Sequence, residues 1–146
     1  MRDIIFSYFY RIELNFMNRS CIKVIDEDGE YTVECERLRG EPGLEKYKAH
    51  LSEDIIDQIK QVYMNNKDIF DIEEVEFPPV LDGCCNSFVF SDGKSKNEIR
   101  TSNLWYFLEE PSEAPNAMLL LKVFAEIKEI LVTNGVDEKY FVLYCE

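Results

Sequence analysis

This chain has few basic residues for its acids, and almost no histidine. Sixteen Lys and Arg stand against 29 Asp and Glu, a formal charge of −13, and His50 is the single histidine. A surface so negative repels phosphate backbones and anionic lipid headgroups. Generic nucleic-acid and membrane binding are therefore not expected, and the charge suits a basic protein partner or no macromolecular partner. Structural zinc wants four N or S ligands at short paired spacings, which adjacent cysteines and one histidine do not supply. No stretch approaches the roughly 20 apolar residues that span a bilayer. Asp3 and Arg11 interrupt the apolar run that a secretion signal needs, so none is expected at the N-terminus. The five cysteines, Cys21, Cys35, Cys84, Cys85 and Cys145, are odd in number and lack framework spacing. That pattern predicts reduced thiols, no disulfide and a cytoplasmic protein. No cofactor or metal is called for.

What is present supports a folded core. With 46% hydrophobic and 13% aromatic residues, the 146-residue chain reads as one domain over 1–146. One local pattern occurs twice: a strand, a turn at Asp-Gly, a second strand, a polar loop and an amphipathic helix. The turns are Asp28-Gly29 and Asp92-Gly93, and the helices open at Ser52 and near Ala114. Asp-Gly between sheet-forming runs is a hairpin signal, because glycine supplies the positive φ that a two-residue turn needs. Two such units predict an α+β fold, an antiparallel sheet of about five or six strands with two helices on one face.

Along the chain, Phe6, Tyr8, Tyr10, Ile12, Leu14 and Phe16 alternate with Ser7, Phe9, Arg11, Glu13 and Asn15, which predicts one long strand with a buried and a mostly wet face. Taking Asp28 and Gly29 as the two turn residues pairs Val24 with Val33 and Ile22 with Cys35, and sets Lys23 opposite Glu34 on the other face. Gly40, Pro42 and Gly43 mark Arg39 to His50 as a loop. Ser52 is a natural N-cap, followed by Glu53 and Asp54 in the first turn and an apolar stripe of Ile55, Ile56, Ile59, Val62 and Tyr63. Ile69 to Phe77 reads as a short edge strand closed by Pro78-Pro79. Ser87 to Ser91 and Glu98 to Ser102 form the second hairpin. The last helix runs from about Pro115 to about Asn134 with Gly135 as its stop, and Tyr140 to Tyr144 is a final strand or a docked tail.

The vicinal pair Cys84-Cys85 is the first place to look for chemistry. A nucleophilic cysteine needs its pKa lowered, usually by a histidine or a helix N-terminus, so any Cys–His pair must use His50. No nucleophile elbow or protease signature surrounds either cysteine. Asp26-Glu27-Asp28-Gly29 looks like the start of a calcium loop, but Tyr31 then falls where an EF-hand needs Gly and Arg37 where it needs Glu. Gly40-Glu41-Pro42-Gly43 lacks the Lys and Ser/Thr of a phosphate cradle. With 29 acids, close carboxylate pairs arise by chance and do not specify glycoside hydrolysis.

Two stretches are better candidates for an interaction surface. Leu104-Trp105-Tyr106-Phe107-Leu108 holds the one tryptophan and runs into Glu109, Glu110 and Pro111. Such a cluster either anchors a partner or covers the end of the core, the commoner outcome. From Asp68 to Asp92 there are seven acids, among them Asp71, Glu73, Glu74 and Glu76, and no basic residue. This run is either a docking face for a cationic partner or a solvated edge that discourages aggregation.

Asp82-Gly83, Phe88 to Gly93, and Ser102-Asn103 ahead of a helix form a DG…DG…SN pattern across the C-terminal half. In this the chain resembles small, functionally uncharacterised bacterial α+β domains. Many of those carry Tyr-Pro after the Asn, where this chain has Leu104-Trp105-Tyr106. The resemblance implies the fold and supplies no catalytic residues. The expectation from sequence is thus a non-enzymatic, cytosolic protein-binding module of the immunity or inhibitor type, its acidic surface meeting a basic partner. The alternatives are a small thiol-dependent enzyme or ligand-binding domain using Cys84 or Cys85 with His50, and a homo-oligomer pairing through a sheet edge.

Overall fold

The computed structural model describes residues 2–12, 15–40, 43–79, 83–110 and 114–144, and for residues 15–17 the backbone alone. Glu13, Leu14, Glu41, Pro42, Asp82, Pro111 and Cys145, and the side chains of Asn15 and Phe16, all named above, lie outside the described residues. Six strands form one antiparallel sheet: β1 (Arg2–Ile12), β2 (Asn15–Glu27), β3 (Glu30–Arg39), β4 (Gly43–Leu51), β5 (Cys84–Ser91) and β6 (Lys96–Ser102). Their order is β4-β3-β2-β1-β5-β6. Helices α1 (Glu53–Asn65), α2 (Tyr106–Glu109) and α3 (Pro115–Thr133) join them.

Alternation builds the core. Phe6, Tyr8 and Tyr10 of β1 turn to the face that also receives Ile22 and Val24 of β2, Val33 and Cys35 of β3, and Phe88 and Phe90 of β5. Ile56, Ile59, Val62 and Tyr63 of α1 and Leu120, Leu121, Phe124 and Ile127 of α3 close over that face, so both long helices lie on one side of the sheet. Phe124 meets the rings of Tyr8 at 4.7 Å and Phe88 at 5.7 Å. Burying side chains of this size contributes about 1.5–3 kcal/mol each. Ile55, at the edge of the α1 stripe, is only half-buried.

The first hairpin has the register expected of it: Val24 pairs with Val33, Ile22 with Cys35 and Lys23 with Glu34, around Asp28 (φ 55°) and Gly29 (φ 87°). Ser52 caps α1 by accepting from the Ile55 N–H, and α3 stops where Gly135 adopts φ 104°.

Four local readings are corrected. The long strand ends at Ile12, and β2 has begun by Asn15. Most of the expected loop is β4, where Lys46, Lys48 and His50 alternate with Tyr47, Ala49 and Leu51; the glycines and proline mark only the turn before it. Ile69 to Phe77 is not a strand. A 3-10 turn (Lys67–Phe70) leads into irregular chain, and the buried residues of the segment, Ile69, Ile72 and Val75, recur every third position, so no period-two face exists to join a sheet. Asn97 pins it instead, its Nδ2 donating to the carbonyls of Ile69 (3.0 Å) and Ile72 (2.9 Å). The second Asp-Gly lies in a four-residue loop between Ser91 and Lys96, in which Asp92 accepts from the N–H groups of Lys94 and Ser95.

The C-terminal stretch is a docked tail. A 3-10 turn (Glu138–Tyr140) precedes it, and its carbonyls are taken one by one: Tyr140 by Ser20, Val142 by Tyr8, Leu143 by Cys84 and Tyr144 by Tyr10. Among the described residues no helix is long and apolar enough to cross a membrane.

Candidate functional site

Because the helices cover one face, the alternate residues of every strand are left on the other. Pairing across β6-β5-β1-β2-β3-β4 assembles them into rows. One reads Glu98, Val89, Ser7, Lys23, Glu34, Lys48; the next reads Arg100, Ser87, Phe9, Cys21, Glu36, Lys46; a third reads Ser102, Cys85, Arg11, Arg19, Leu38, Leu44. These side chains are half-exposed or exposed. The centre of the face is built of small residues, Ser7, Ser87, Cys21 and Cys85, around the ring of Phe9. Depressions of about 620 Å³ and about 290 Å³ lie to either side of it.

The charge of this face is opposite to that of the molecule. Its described strand positions carry eight of the chain's 16 basic residues (Arg2, Arg11, Arg19, Lys23, Lys46, Lys48, Lys96 and Arg100). They carry five of the 24 described acids, Glu27, Glu30, Glu34, Glu36 and Glu98, which leaves the face at +3 and the other described residues, with eight Lys and Arg and 19 Asp and Glu, at −11. Three of the acids are matched by cations: Glu34 by Arg2 (2.9 Å) and Lys48 (3.7 Å), Glu36 by Lys46 (3.7 Å), and Glu98 by Lys96 (3.5 Å). Arg11 reaches the Sγ of Cys85 at 3.7 Å.

The thiols are not brought to a histidine. Cys84 and Cys85 are neighbours on a strand, so Cys84 points into the core while Cys85 points to the open face. His50 sits on β4 with three strands between it and β5, at least about 19 Å away at the usual 4.8 Å spacing. Burial pushes the Cys21 thiol upward, against the pull of Lys23, and drives Cys35 up to about 12. The four described cysteines carry free thiols, and no group of metal-ligating side chains gathers among the described residues.

The aromatic and acidic stretches divide in role. Phe107 is 6% exposed and belongs to the core, so it does not join an exposed anchor. Trp105 is half-buried, stacked on Tyr144 with ring centroids at 6.3 Å, its indole N–H donating to Asn103 Oδ1; Tyr106 is also half-buried, while Glu109 and Glu110 are exposed. In the acidic run Asp71, Glu73 and Glu74 are exposed, and Glu76 caps α3 by accepting from the N–H groups of Asn116 (3.4 Å) and Ala117 (2.7 Å). An acid is favoured at a helix N-terminus, where unbonded N–H groups collect. Phe77, next to it, is 90% exposed.

Asn103, the end of the DG…DG…SN pattern, has a structural duty. It is buried with φ 52°, its Oδ1 accepts from the Cys84 N–H at 3.1 Å, and its own N–H donates to the Cys84 carbonyl. Asparagine tolerates the left-handed region better than other non-glycine residues. The residues that sequence reasoning passed over are Phe9, Arg19, Lys23 and Arg100. Phe9 and Lys23 sit on the wet side of a recognised alternation, Arg100 in an expected strand and Arg19 beyond the paired part of the first hairpin, and their common face emerges only when the strands are ordered. No protein-family model matches the chain, and no curated protein matches it.

Proposed function

We propose that this chain is a non-enzymatic protein-binding module of the immunity or inhibitor type, which meets a basic partner through its acidic helical side. The observation that carries the reading is the segregation of charge: away from the open face the described residues carry −11, with Asp71, Glu73, Glu74, Glu109 and Glu110 exposed. A concentrated field of one sign steers an oppositely charged partner and speeds encounter. The exposed ring of Phe77, next to Glu76 in sequence, and the half-buried Trp105, four residues before Glu109, offer apolar contact, and many interfaces set such anchors within a charged rim. The test is affinity capture from the source cell with mass spectrometry, then binding kinetics with the purified partner. The on-rate is expected to fall steeply with salt and to drop about tenfold when Glu73, Glu74, Glu109 and Glu110 are reversed to Lys together. A captured partner with a neutral or acidic contact surface, or an on-rate indifferent to salt and to the reversal, overturns the reading.

A further inference from the structure

From the open face of the sheet we infer a second docking site, independent of the acidic side: an extended, acidic segment of a partner polypeptide lies across the strands over Phe9. Three observations converge on it. The first is charge. Arg11, Arg19 and Lys23 stand on the two central strands near Phe9 and Arg100 two strands from it in the same row, while the acids of the face, Glu34, Glu36 and Glu98, are engaged by Arg2, Lys46, Lys48 and Lys96. At physiological ionic strength exposed charges are screened beyond about 8 Å, so an occupant of this face experiences the local cations more than the acids across the helical layer.

The second is shape. The small side chains of Ser7, Cys21, Cys85 and Ser87 leave depressions on both sides of Phe9, about 620 Å³ toward β6 and about 290 Å³ toward β3. Six strands at the usual 4.8 Å spacing make a face about 24 Å across, the span of about seven extended residues. An aromatic with arginines beside it at the centre, and polar groups toward the edges, is the composition of a binding hot spot.

The third is the mixture of signs. Glu34, Glu36 and Glu98 stand between the cations along the rows. Phosphates at every position of a nucleic-acid strand would meet them, and a face with one central ring offers little for successive bases to stack on. An acidic peptide instead spaces its carboxylates to the arginines and brings backbone N–H groups that glutamates accept.

The test is fluorescence anisotropy of the full chain with a fluorescein-labelled octapeptide of alternating Glu and Phe. A Lys–Phe octapeptide and an oligothymidylate of equal length serve for comparison. The Glu–Phe peptide is expected to bind best, and its affinity to fall about tenfold between about 0.05 M and about 0.3 M salt. Arg19→Glu with Lys23→Glu, or Arg100→Glu alone, should each weaken it about tenfold. Arg19 and Arg100 are exposed, and unchanged circular dichroism confirms that the variants are folded; Lys23→Gln is the milder substitute. Reversal of Glu109 and Glu110 to Lys should leave the affinity within about twofold, which separates this site from the acidic side. No binding by the Glu–Phe peptide, or binding that ignores the three basic residues, overturns the inference. Tighter binding of the oligothymidylate also overturns it and makes the face a single-strand nucleic-acid surface.

Discussion

The amide of Asn86 donates to the hydroxyl of Tyr8 at 2.9 Å, inside the core and 78 residues away in sequence. That hydroxyl in turn donates to the carbonyl of Val142, and the Asn86 Oδ1 accepts from the N–H of Leu104. Two neighbouring strands, the turn before α2 and the C-terminal tail are thereby tied at one point. Buried polar groups are costly unless every one is satisfied, so this chain of bonds is sensitive to the loss of any member.

Tyr8→Phe should therefore destabilise the protein by about 1–3 kcal/mol, since it strands the Asn86 amide and the Val142 carbonyl. Urea denaturation followed by circular dichroism measures it. Equal stability of variant and parent would mean that the tail is held by the other three carbonyl contacts alone.

Phe124→Ala removes a buried ring that meets Tyr8, Phe88 and Phe141. The expected loss is about 3–5 kcal/mol, from lost transfer energy and the cavity left behind. A midpoint shift equivalent to less than about 1 kcal/mol would contradict the packing of α3 on the sheet.

At Asn103 the comparison of two variants separates backbone from side chain. Asn103→Gly keeps the left-handed conformation easily but loses the bond to the Cys84 N–H; Asn103→Ala loses both. Alanine is expected to be the less stable by about 1 kcal/mol in thermal or urea denaturation. If the order is reversed, left-handed strain is not what selects asparagine here.

Asp92 accepts from the N–H groups of Ser95 and Lys94, and these bonds hold its carboxyl below the usual value near 3.9. A depressed folded pKa means that its stabilisation is present above the unfolded pKa and is lost as pH falls through the folded one. Carboxyl titration by NMR should find Asp92 among the low values, and Asp92→Asn should flatten the stability profile below about pH 4. An Asp92 that titrates above the unfolded value would remove this account of the loop.

Thiol labelling provides a check on the faces of the strands. Cys21 and Cys85 are half-buried, while Cys35 and Cys84 are buried, and burial holds the Cys35 proton up to about 12. In the native protein Cys85 and Cys21 should react before Cys35 and Cys84, as mass spectrometry of labelled peptides will show, and all should react once the chain is unfolded. A Cys84–Cys85 bridge is not expected, because adjacent strand residues point to opposite faces. Rapid native labelling of Cys35 would contradict the register of β3.

Where a structural choice depends on near neighbours, it was open to reading. The register around Asp28-Gly29 follows from a two-residue turn and alternation, the start of α1 follows from Ser52, and the limits of α3 follow from Pro115 and Gly135. The reading of β4 failed although Lys46 to Leu51 alternate cleanly, because the turn residues ahead of them were extended over the whole segment. The strand expected at Ile69 to Phe77 failed because its apolar residues recur with period three.

The sequence by itself determined that a core forms, which residues of each strand enter it, and that two helices cover it, because periods of 2 and 3.6 are set by the backbone of each segment alone. Only the tertiary structure decided what the remaining residues do. Strand order sets β1 between β2 and β5 and so puts Arg11, Arg19, Lys23 and Arg100 on one face with Phe9, leaves three strands between His50 and the strand of Cys84 and Cys85, and carries Glu76 to the start of α3. No local period encodes that order. It is set by how large buried side chains such as Tyr8, Phe88 and Phe124 fit together across long stretches of chain, and the cationic face is what that fit leaves outside.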